Sequence, residues 1–433
     1  MNRYSQMVFI FILMVALHST IAIAGITKGP ILLDVNDSGV TVAWETGDSS
    51  GVIHYGDTET NLDQSVDVSG NDNGMLRGQI EGLNPGTVCF YQVSSGGQDS
   101  AVLSFTTAPS ADAPFYFVAF GDVRTNQDDH AQVVAAIIGE APDFVLQSGD
   151  LVEVALSGAQ WNEFFAVELP LMGNTPYFPV MGNHEEFGGA PTFQKYFNTP
   201  AHNGNNVARF AFQYGNTYFI NLDITLAYGV GSDQYAWFQE QLDLAAQMPG
   251  LKHCIVQVHF TTYSAAKHGN DLDVKQFRNA YAPLFEQYGV DLVVSGHDHT
   301  YQHNLVNNIH YLCAGGGGAP LYNVDPESWT IVAEKTLNYA RIDVEGDTIN
   351  VTGKRPDGTV IENFQIVHDF GIPDDDDTVD DDTSDDDAAD DDAADDDATD
   401  DDATDDDAAD NDNVDDDATD DDSGDDDDDG CGC

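Results

Sequence analysis

Hydrophobic and polar positions follow two different patterns along the 433-residue chain. Between residues 25 and 109, short apolar runs at 40–44, 52–55 and 88–93 are separated by turn sequences such as Asn-Pro-Gly at 84–86. Runs of this length and spacing predict β-strands, and a series of them predicts a small β-sandwich.

Between residues 113 and 369 the pattern changes, and apolar runs alternate with longer amphipathic stretches. The apolar runs predict strands at 115–120, 144–147, 177–180, 218–222, 254–258 and 292–294. Helices are predicted between several of them, at 130–140, 234–247 and 273–288. This alternation predicts a layered α/β domain, with further sheet in the β-rich segment 308–369.

The two ends of the chain follow neither pattern. Residues 1–24 combine Arg3, an apolar run and Ala-Ile-Ala at 22–24, which indicates an export signal peptide, with an uncleaved membrane anchor as the alternative. We therefore expect a secreted, periplasmic or cell-surface protein. Residues 372–433 are an Asp, Ala and Thr repeat that predicts a disordered polyanion, either a spacer that associates weakly with calcium or only a solvating tail. The terminal Cys431 and Cys433 leave both oxidation and covalent cell-surface attachment open.

The charge of the chain restricts its partners. The net charge is −62, and residues 371–433 contain 35 Asp and no Lys or Arg, but the rest of the chain is acidic as well. An acidic surface repels phosphate backbones, which argues against nucleic-acid binding by a basic patch. A polyanionic substrate would need cations in its binding site. Cys89, Cys254 and Cys313 lie in apolar or Gly-rich surroundings and are predicted to be small buried residues.

Five short polar motifs share one position relative to the predicted strands. Each lies at or just after the carboxyl end of a strand: GDVR at 121–124, GDLVE at 149–153, GNHE at 182–185, VQVH at 256–259 and GHDH at 296–299. Ligands of α/β sheets bind beyond these strand ends. A single Gly-Asp is usually a turn and a single His in an apolar strand is usually a core residue. The five motifs together indicate a metal site, since Asp, Asn and His supply metal ligands.

This motif series resembles that of the calcineurin-like metallophosphoesterases, and the β-sandwich before it narrows the likeness to relatives of purple acid phosphatases. The likeness covers about residues 25–369, and the first domain resembles fibronectin type III-like domains. The resemblance implies a four-layer α/β/β/α sandwich with two metal ions, which are iron, zinc or manganese. It also implies hydrolysis of a small phosphate ester, in which the ions bind phosphate oxygens and deprotonate a water for attack at phosphorus.

The resemblance also implies roles for individual residues. Asp150 would bridge both ions. Asp122 and His299 would complete the protein ligands of one ion, at the first metal position (the first position below). Asn183, His259 and His297 would complete those of the other ion, at the second metal position (the second position below). His184 matches a family histidine that lies beside the phosphate. His268 falls where these phosphatases place another, with a surface histidine as the alternative reading. Either imidazole can protonate the leaving alkoxide.

Two positions depart from the purple acid phosphatase pattern. Glu153 stands where those enzymes carry the Tyr that binds ferric iron, and it either replaces this ligand or points away. Arg124 stands where the purple enzymes have Gly, and because Arg stays protonated we expect it to hold phosphate oxygens rather than metal. The sequence therefore predicts a non-purple enzyme with a weakened first position.

Three functions remain open on the sequence. The first is an exported, acid phosphatase-like phosphomonoesterase. The second is a phosphodiesterase of the same fold. The third is a cell-surface binding protein in which the β-sandwich docks and the metal site is degenerate.

Overall fold

In the computed structural model, the described residues are 25–111, 113–186, 191–198, 209–367 and 370. Contacts divide the chain into Met1–Asp375 and Asp376–Cys433, and all the described residues belong to the first unit. The predicted signal peptide, the Asp-rich tail, Cys431 and Cys433 lie outside the described residues. In the described part of the chain, no helix is long and apolar enough to cross a membrane.

The N-terminal part is all-β and consists of two antiparallel sheets. Strands β1, β2 and β5 form one sheet, and β4, β3, β6 and β7 form the other, with β8 paired to β6. The strands are β1 (Ile26–Leu33), β2 (Val40–Thr46), β3 (Ser50–Gly56), β4 (Gln64–Ser69), β5 (Met75–Ile80), β6 (Val88–Ser95), β7 (Gln98–Asp99) and β8 (Leu103–Thr106). Alternate residues of β6 are buried, which confirms the period-two reading.

The rest of the described chain contains two larger sheets. One has the order β11-β10-β9-β19-β20-β21 and the other β12-β13-β14-β15-β17-β16-β18. Their strands are β9 (Phe115–Phe120), β10 (Phe144–Gln147), β11 (Tyr177–Pro179), β12 (Phe210–Tyr214), β13 (Thr217–Asn221), β14 (His253–Gln257), β15 (Leu292–Ser295), β16 (Tyr301–Val306), β17 (Ile309–Ala314), β18 (Thr330–Glu334), β19 (Tyr339–Glu345), β20 (Thr348–Lys354) and β21 (Val360–Val367).

Five of the six α-helices pack on the outer faces of these two sheets, and the short α3 lies at the carboxyl end of β11. They are α1 (Gln127–Glu140), α2 (Gly158–Met172), α3 (Asn183–Glu186), α4 (Pro191–Phe197), α5 (Asp233–Ala246) and α6 (Leu272–Tyr288). The Asn126 side chain caps α1 and Ser232 caps α5, each accepting a hydrogen bond from a first-turn N–H. Helix α2 was not predicted from the sequence.

Alternation along the strands divides the core into layers. In β9, Phe117 and Ala119 pack toward the second sheet, whereas Val118 and Phe120 pack toward α1 and α2. The opposite sheet packs Val256 and Val293 against α5 and α6. The observed order of layers is therefore helix, sheet, sheet, helix.

The N-terminal sheets pack directly on the helical side of the first large sheet. Ile31, Leu33 and Met75 share a hydrophobic cluster with residues of α2. The Tyr91 hydroxyl donates to the Gly173 carbonyl at 2.6 Å, just after the end of α2. Through these contacts the N-terminal part packs tightly against the larger domain.

Candidate metal centre

The parallel strands of both large sheets deliver the predicted ligands to one place. Strands β9, β10 and β11 are parallel neighbours in the first sheet, and β14 and β15 are parallel neighbours in the second. The six predicted ligands follow the carboxyl ends of these five strands: Asp122, Asp150, Asn183, His259, His297 and His299. The structure brings all six together.

Sharp backbone turns direct these side chains back over the strand ends. Asp122, Asp150 and His297 have φ angles of 58°, 57° and 70°, in the left-handed region that non-Gly residues seldom adopt. Backbone strain of this kind persists where the surrounding structure enforces it, and it is common at functional sites. A Cβ at Gly182 would clash with the Asp150 carboxylate, so this close approach requires glycine.

The second position is a convergence of lone pairs around His259. Its Nδ1–H donates to the Ser148 carbonyl at 2.7 Å, which leaves a lone pair on Nε2. Nε2 lies 3.0 Å from Asn183 Oδ1, 3.2 Å from His297 Nδ1 and 3.4 Å from Asp150 Oδ1. His259 Nε2, Asn183 Oδ1 and Asp150 Oδ1 are all acceptors, so at these distances they repel one another unless a cation lies between them.

The first position is centred on Asp122 and His299. The fully buried Asp122 carboxylate accepts from the His297 backbone N–H at 2.9 Å, and its Oδ1 lies 3.6 Å from His299 Nε2. His299 Nδ1–H donates to the Pro320 carbonyl at 2.8 Å, so the Nε2 lone pair faces the site. A protein cation, the guanidinium of Arg124, also reaches this position.

The Arg124 guanidinium contacts two of the predicted metal ligands, Asp150 and His299. Its Nε donates to Asp150 Oδ2 at 3.1 Å, and one terminal nitrogen lies 3.4 Å from His299 Nε2. The other terminal nitrogen pairs with the Glu153 carboxylate. Thr125 also donates to Glu153, at 2.8 Å. In this arrangement Glu153 binds Arg124 and Thr125, which favours the reading that it points away from the metal positions.

The two predicted acid–base histidines border the cluster on different sides. His184 donates from Nδ1 to the Glu153 carbonyl at 2.8 Å, and its Nε2 lies 3.8 Å from Asp150 Oδ2. His268 stacks on the His297 ring at 3.8 Å and donates from Nδ1 to Asp271 at 2.5 Å. Both side chains are partly exposed, so a substrate can reach them.

Burial keeps the imidazoles neutral, which is the form that binds metal. Burial lowers the pKa of His297 well below its ordinary value, and the neighbouring imidazoles lower it further. Burial also lowers the pKa of His299 to about 4. For Asp150, burial raises the pKa, but the nearby His259, His184 and Arg124 lower it by more, so its carboxylate stays ionised.

The residues present fit a bound metal. Asp122, Asp150 and His259 offer ligand atoms that lie within 4.8 Å of one another. His259 Nε2 and His299 Nε2 are both left without a proton, because the Nδ1–H of each ring donates to a backbone carbonyl. Carboxylate, amide and imidazole donors together suit zinc, iron or manganese. We therefore treat the cluster as a candidate metal centre.

Four supporting residues had no role in the sequence prediction. Glu185 is fully buried and accepts backbone N–H bonds from both the Asp150 loop and the Gly182 loop. Asp298 accepts from the His268 N–H at 3.1 Å. Asp271 pairs with His268, and Tyr322 stacks on His299 at 4.1 Å. Glu185 and Asp298 lie inside recognised motifs, whereas no sequence signal marks Asp271 or Tyr322.

Comparison with known proteins identifies related folds. Residues 115–301 match the family model of the calcineurin-like phosphoesterases. An uncharacterized protein of Mycobacterium tuberculosis is 29% identical over 261 residues, which cover 52% of this chain and 49% of that protein. Fe(3+)-Zn(2+) purple acid phosphatase 12 of Arabidopsis thaliana is 25% identical over 264 residues, covering 56% and 55% of the two chains. The match thus spans about half the length of these relatives.

A purple acid phosphatase of Glycine max is similar over a longer stretch. It is 25% identical over 363 residues, or 76% of this chain and 75% of that protein. Among solved structures, purple acid phosphatase PPD1 of yellow lupin (Lupinus luteus) has a TM-score of 0.69 at 20% identity, covering 78% of this chain and 74% of that one. A structure of PhoD has a TM-score of 0.61 at 11% identity, covering 78% and 90%. At these identities the structural likeness shows the fold.

Proposed function

We propose, from the calcineurin-like phosphoesterase domain that residues 115–301 form, that this protein is a metal-dependent hydrolase of phosphate esters, with monoesters as its preferred substrates. The observation that carries the proposal is the convergence of Asp150, Asn183, His259 and His297 on one point at the ends of two sheets. A metal site that only stabilises the fold does not require solvent-accessible acid–base groups beside it. A catalytic site does require them, and His184 is such a group because it is partly exposed.

The ligand atoms divide into two positions. We assign Asp150, Asn183, His259 and His297 to the second position. Asp122, Asp150 and His299 are assigned to the first. When bound, metal ions in such a site supply positive charge for phosphate oxygens and activate a water for in-line attack at phosphorus.

His184 and His268 are proposed to manage the proton of the leaving group. The bond from His184 Nδ1–H to the Glu153 carbonyl fixes its tautomer, so that Nε2 faces the Asp150 side of the site. The Asp271 carboxylate orients His268 in the same way. With Nδ1–H held by these acceptors, Nε2 can take up a second proton, and the resulting imidazolium can donate that proton to a departing alkoxide.

The remaining parts of the chain are assigned by the same reasoning. We propose a signal peptide at 1–24, a fibronectin type III-like domain at 25–109, a phosphoesterase domain at 113–369 and an Asp-rich tail at 372–433. The two N-terminal antiparallel sheets support the second assignment. Export, calcium association of the tail and cell-surface attachment are part of the same proposal.

The test is hydrolysis of p-nitrophenyl phosphate and of bis(p-nitrophenyl) phosphate by the purified full chain, with manganese, zinc or iron added. We expect turnover of the monoester, which chelation abolishes and added metal restores. Faster turnover of the bis-ester would identify a phosphodiesterase instead. Failure to turn over either ester with any metal would contradict the proposal and favour a binding protein.

A further inference from the structure

We propose that the guanidinium of Arg124 takes the place of one metal ion, so that the centre holds a single ion beside a fixed protein cation. This inference rests on the proposed function, because it concerns the same site. It changes the assignment of the first position, whose ligands then bind a side chain rather than a metal.

The two carboxylate oxygens of Asp150 have different partners, one at the second position and the other on Arg124. Its Oδ1 lies on the side of His259 Nε2, at 3.4 Å, within the convergence of lone pairs. Its Oδ2 accepts a hydrogen bond from Arg124 Nε at 3.1 Å. The bridge that Asp150 makes is therefore between the second position and Arg124.

His299 has the same relationship to Arg124. Its Nδ1–H is used by the Pro320 carbonyl, so Nε2 is an acceptor, and the atom facing it at 3.4 Å is a guanidinium nitrogen. Arg124 thus contacts Asp150 and His299, which are two of the three residues that would bind an ion in the first position. A metal there would have to displace both contacts.

Arg124 is held in this orientation by its other contacts. The Glu153 carboxylate pairs with the terminal nitrogen that points away from His299, and Thr125 Oγ1 donates to the same carboxylate. Only 11% of the Arg124 side chain is exposed, so it cannot move into solvent without breaking these contacts. The two positions that depart from the purple acid phosphatase pattern, 124 and 153, therefore bind each other.

The charges of the site favour one ion. A guanidinium stays protonated in proteins and repels a metal ion placed against it. One divalent ion and Arg124 together carry three positive charges, which equal the three negative charges of the Asp122, Asp150 and Glu153 carboxylates. Around His259 Nε2 the described contacts are with Asn183 Oδ1, Asp150 Oδ1 and the neutral His297 ring, and none of these is a cation.

The experiment counts metal ions per chain rather than activity. Full-length protein is loaded with excess manganese, desalted and measured by elemental analysis, and the bound manganese is examined by electron paramagnetic resonance. We expect one ion per chain and the spectrum of an isolated ion. In Arg124→Gly we expect two ions per chain and a spin-coupled spectrum. Arg355→Gly, which removes an arginine paired with Glu334 elsewhere, should leave one ion.

Each outcome has a distinct meaning. Two ions in the unaltered protein would overturn this inference and leave the proposed function standing. One ion in both the unaltered protein and a folded Arg124→Gly would show that Arg124 is not what excludes the second ion. If Arg124→Gly fails to fold, Glu153→Gln releases Arg124 from its anchor, and we then expect occupancy above one. No bound ion in any of these proteins would contradict the proposed function itself.

Discussion

The Glu185 carboxylate accepts a hydrogen bond from the Asp150 backbone N–H at 2.9 Å, in a fully buried place. The same carboxylate accepts from the N–H groups of Leu151, Val152 and Gly182. Burial and the charge of Asp150 raise the pKa of Glu185, and the hydrogen bonds from the Gly182, Val152 and Asp150 N–H groups oppose that rise. Glu185 therefore ties together the two loops that carry Asp150 and Asn183.

Replacing Glu185 with Gln should destabilise the protein. The amide NH2 would face two backbone N–H donors, and each unsatisfied buried donor costs about 1–3 kcal/mol. We expect a loss of about 2–6 kcal/mol in the free energy of unfolding by urea, together with weaker metal binding. The matched control is Glu186→Gln at the exposed neighbouring position, which should change stability by less than about 0.5 kcal/mol. Equal effects of the two substitutions would refute the role of Glu185 in linking the Asp150 and Asn183 loops.

Asp150→Asn should lose metal and activity together. The substitution removes the charged oxygen at the second position and the ion pair with Arg124. The loss of activity should exceed the ~10–100-fold that removing an outer-shell partner costs. Elemental analysis and p-nitrophenyl phosphate hydrolysis measure the two effects. Asp128→Asn, at an exposed position in α1, is the control. Retained metal in Asp150→Asn would refute the ligand assignment.

The leaving group distinguishes a proton donor from a binding residue. A weakly basic p-nitrophenolate leaves without a proton, whereas an alkoxide needs one, so loss of the general acid should cost ~10²–10⁴-fold on an alkyl phosphate only. We expect this split for His184→Asn or for His268→Asn, and kcat measured on both substrates identifies which. Equal losses on the two substrates in both variants would assign these histidines to binding.

Iron-loaded protein should lack the iron–tyrosinate absorption band that gives purple acid phosphatases their colour. Glu153 carries no phenolate, and the Tyr322 hydroxyl lies against Lys267 Nζ at 3.4 Å rather than among the ligands. The double substitution Arg124→Gly with Glu153→Tyr should open the first position and create an iron–tyrosinate absorption band. Tyr322→Phe should leave the spectrum unchanged. A visible band in the unaltered protein would contradict this prediction.

His310 should make the metal-free protein sensitive to acid. Burial, and then the charge of His303, lowers the pKa of His310 from 6.5 to about 4. Because the unfolded chain takes up the proton first, His310 contributes stability that is present above pH 6.5 and is lost as pH falls toward 4. Urea midpoints at pH 7 and pH 4.5 should therefore fall further in the unaltered protein than in His310→Gln. If the urea midpoint falls equally in the unaltered protein and in His310→Gln, His310 does not contribute to the acid sensitivity.

Local pattern was sufficient to locate nine of the 21 strands among the described residues, including every strand that precedes a predicted ligand. Strand β9 begins and ends at the predicted residues, and the predicted strand 254–258 is His253–Gln257 in the structure. Helix α2 was missed because apolar side chains occupy most of its faces and Pro170 lies within it. Helix α1 begins three residues before its predicted start, since its first turn is polar.

The sequence by itself predicted six candidate ligands and their convergence, because each follows the carboxyl end of a predicted strand. That these strand ends belong to two sheets that face each other was decided by the tertiary structure. Only the tertiary structure decided how Asp150 divides its two oxygens and that Arg124 contacts His299. It also decided that Glu153 anchors Arg124, so that position 153 supports a side-chain cation. The physical reason is that spacing along the chain specifies where a side chain starts. The direction of its charged end depends on contacts with residues distant in sequence.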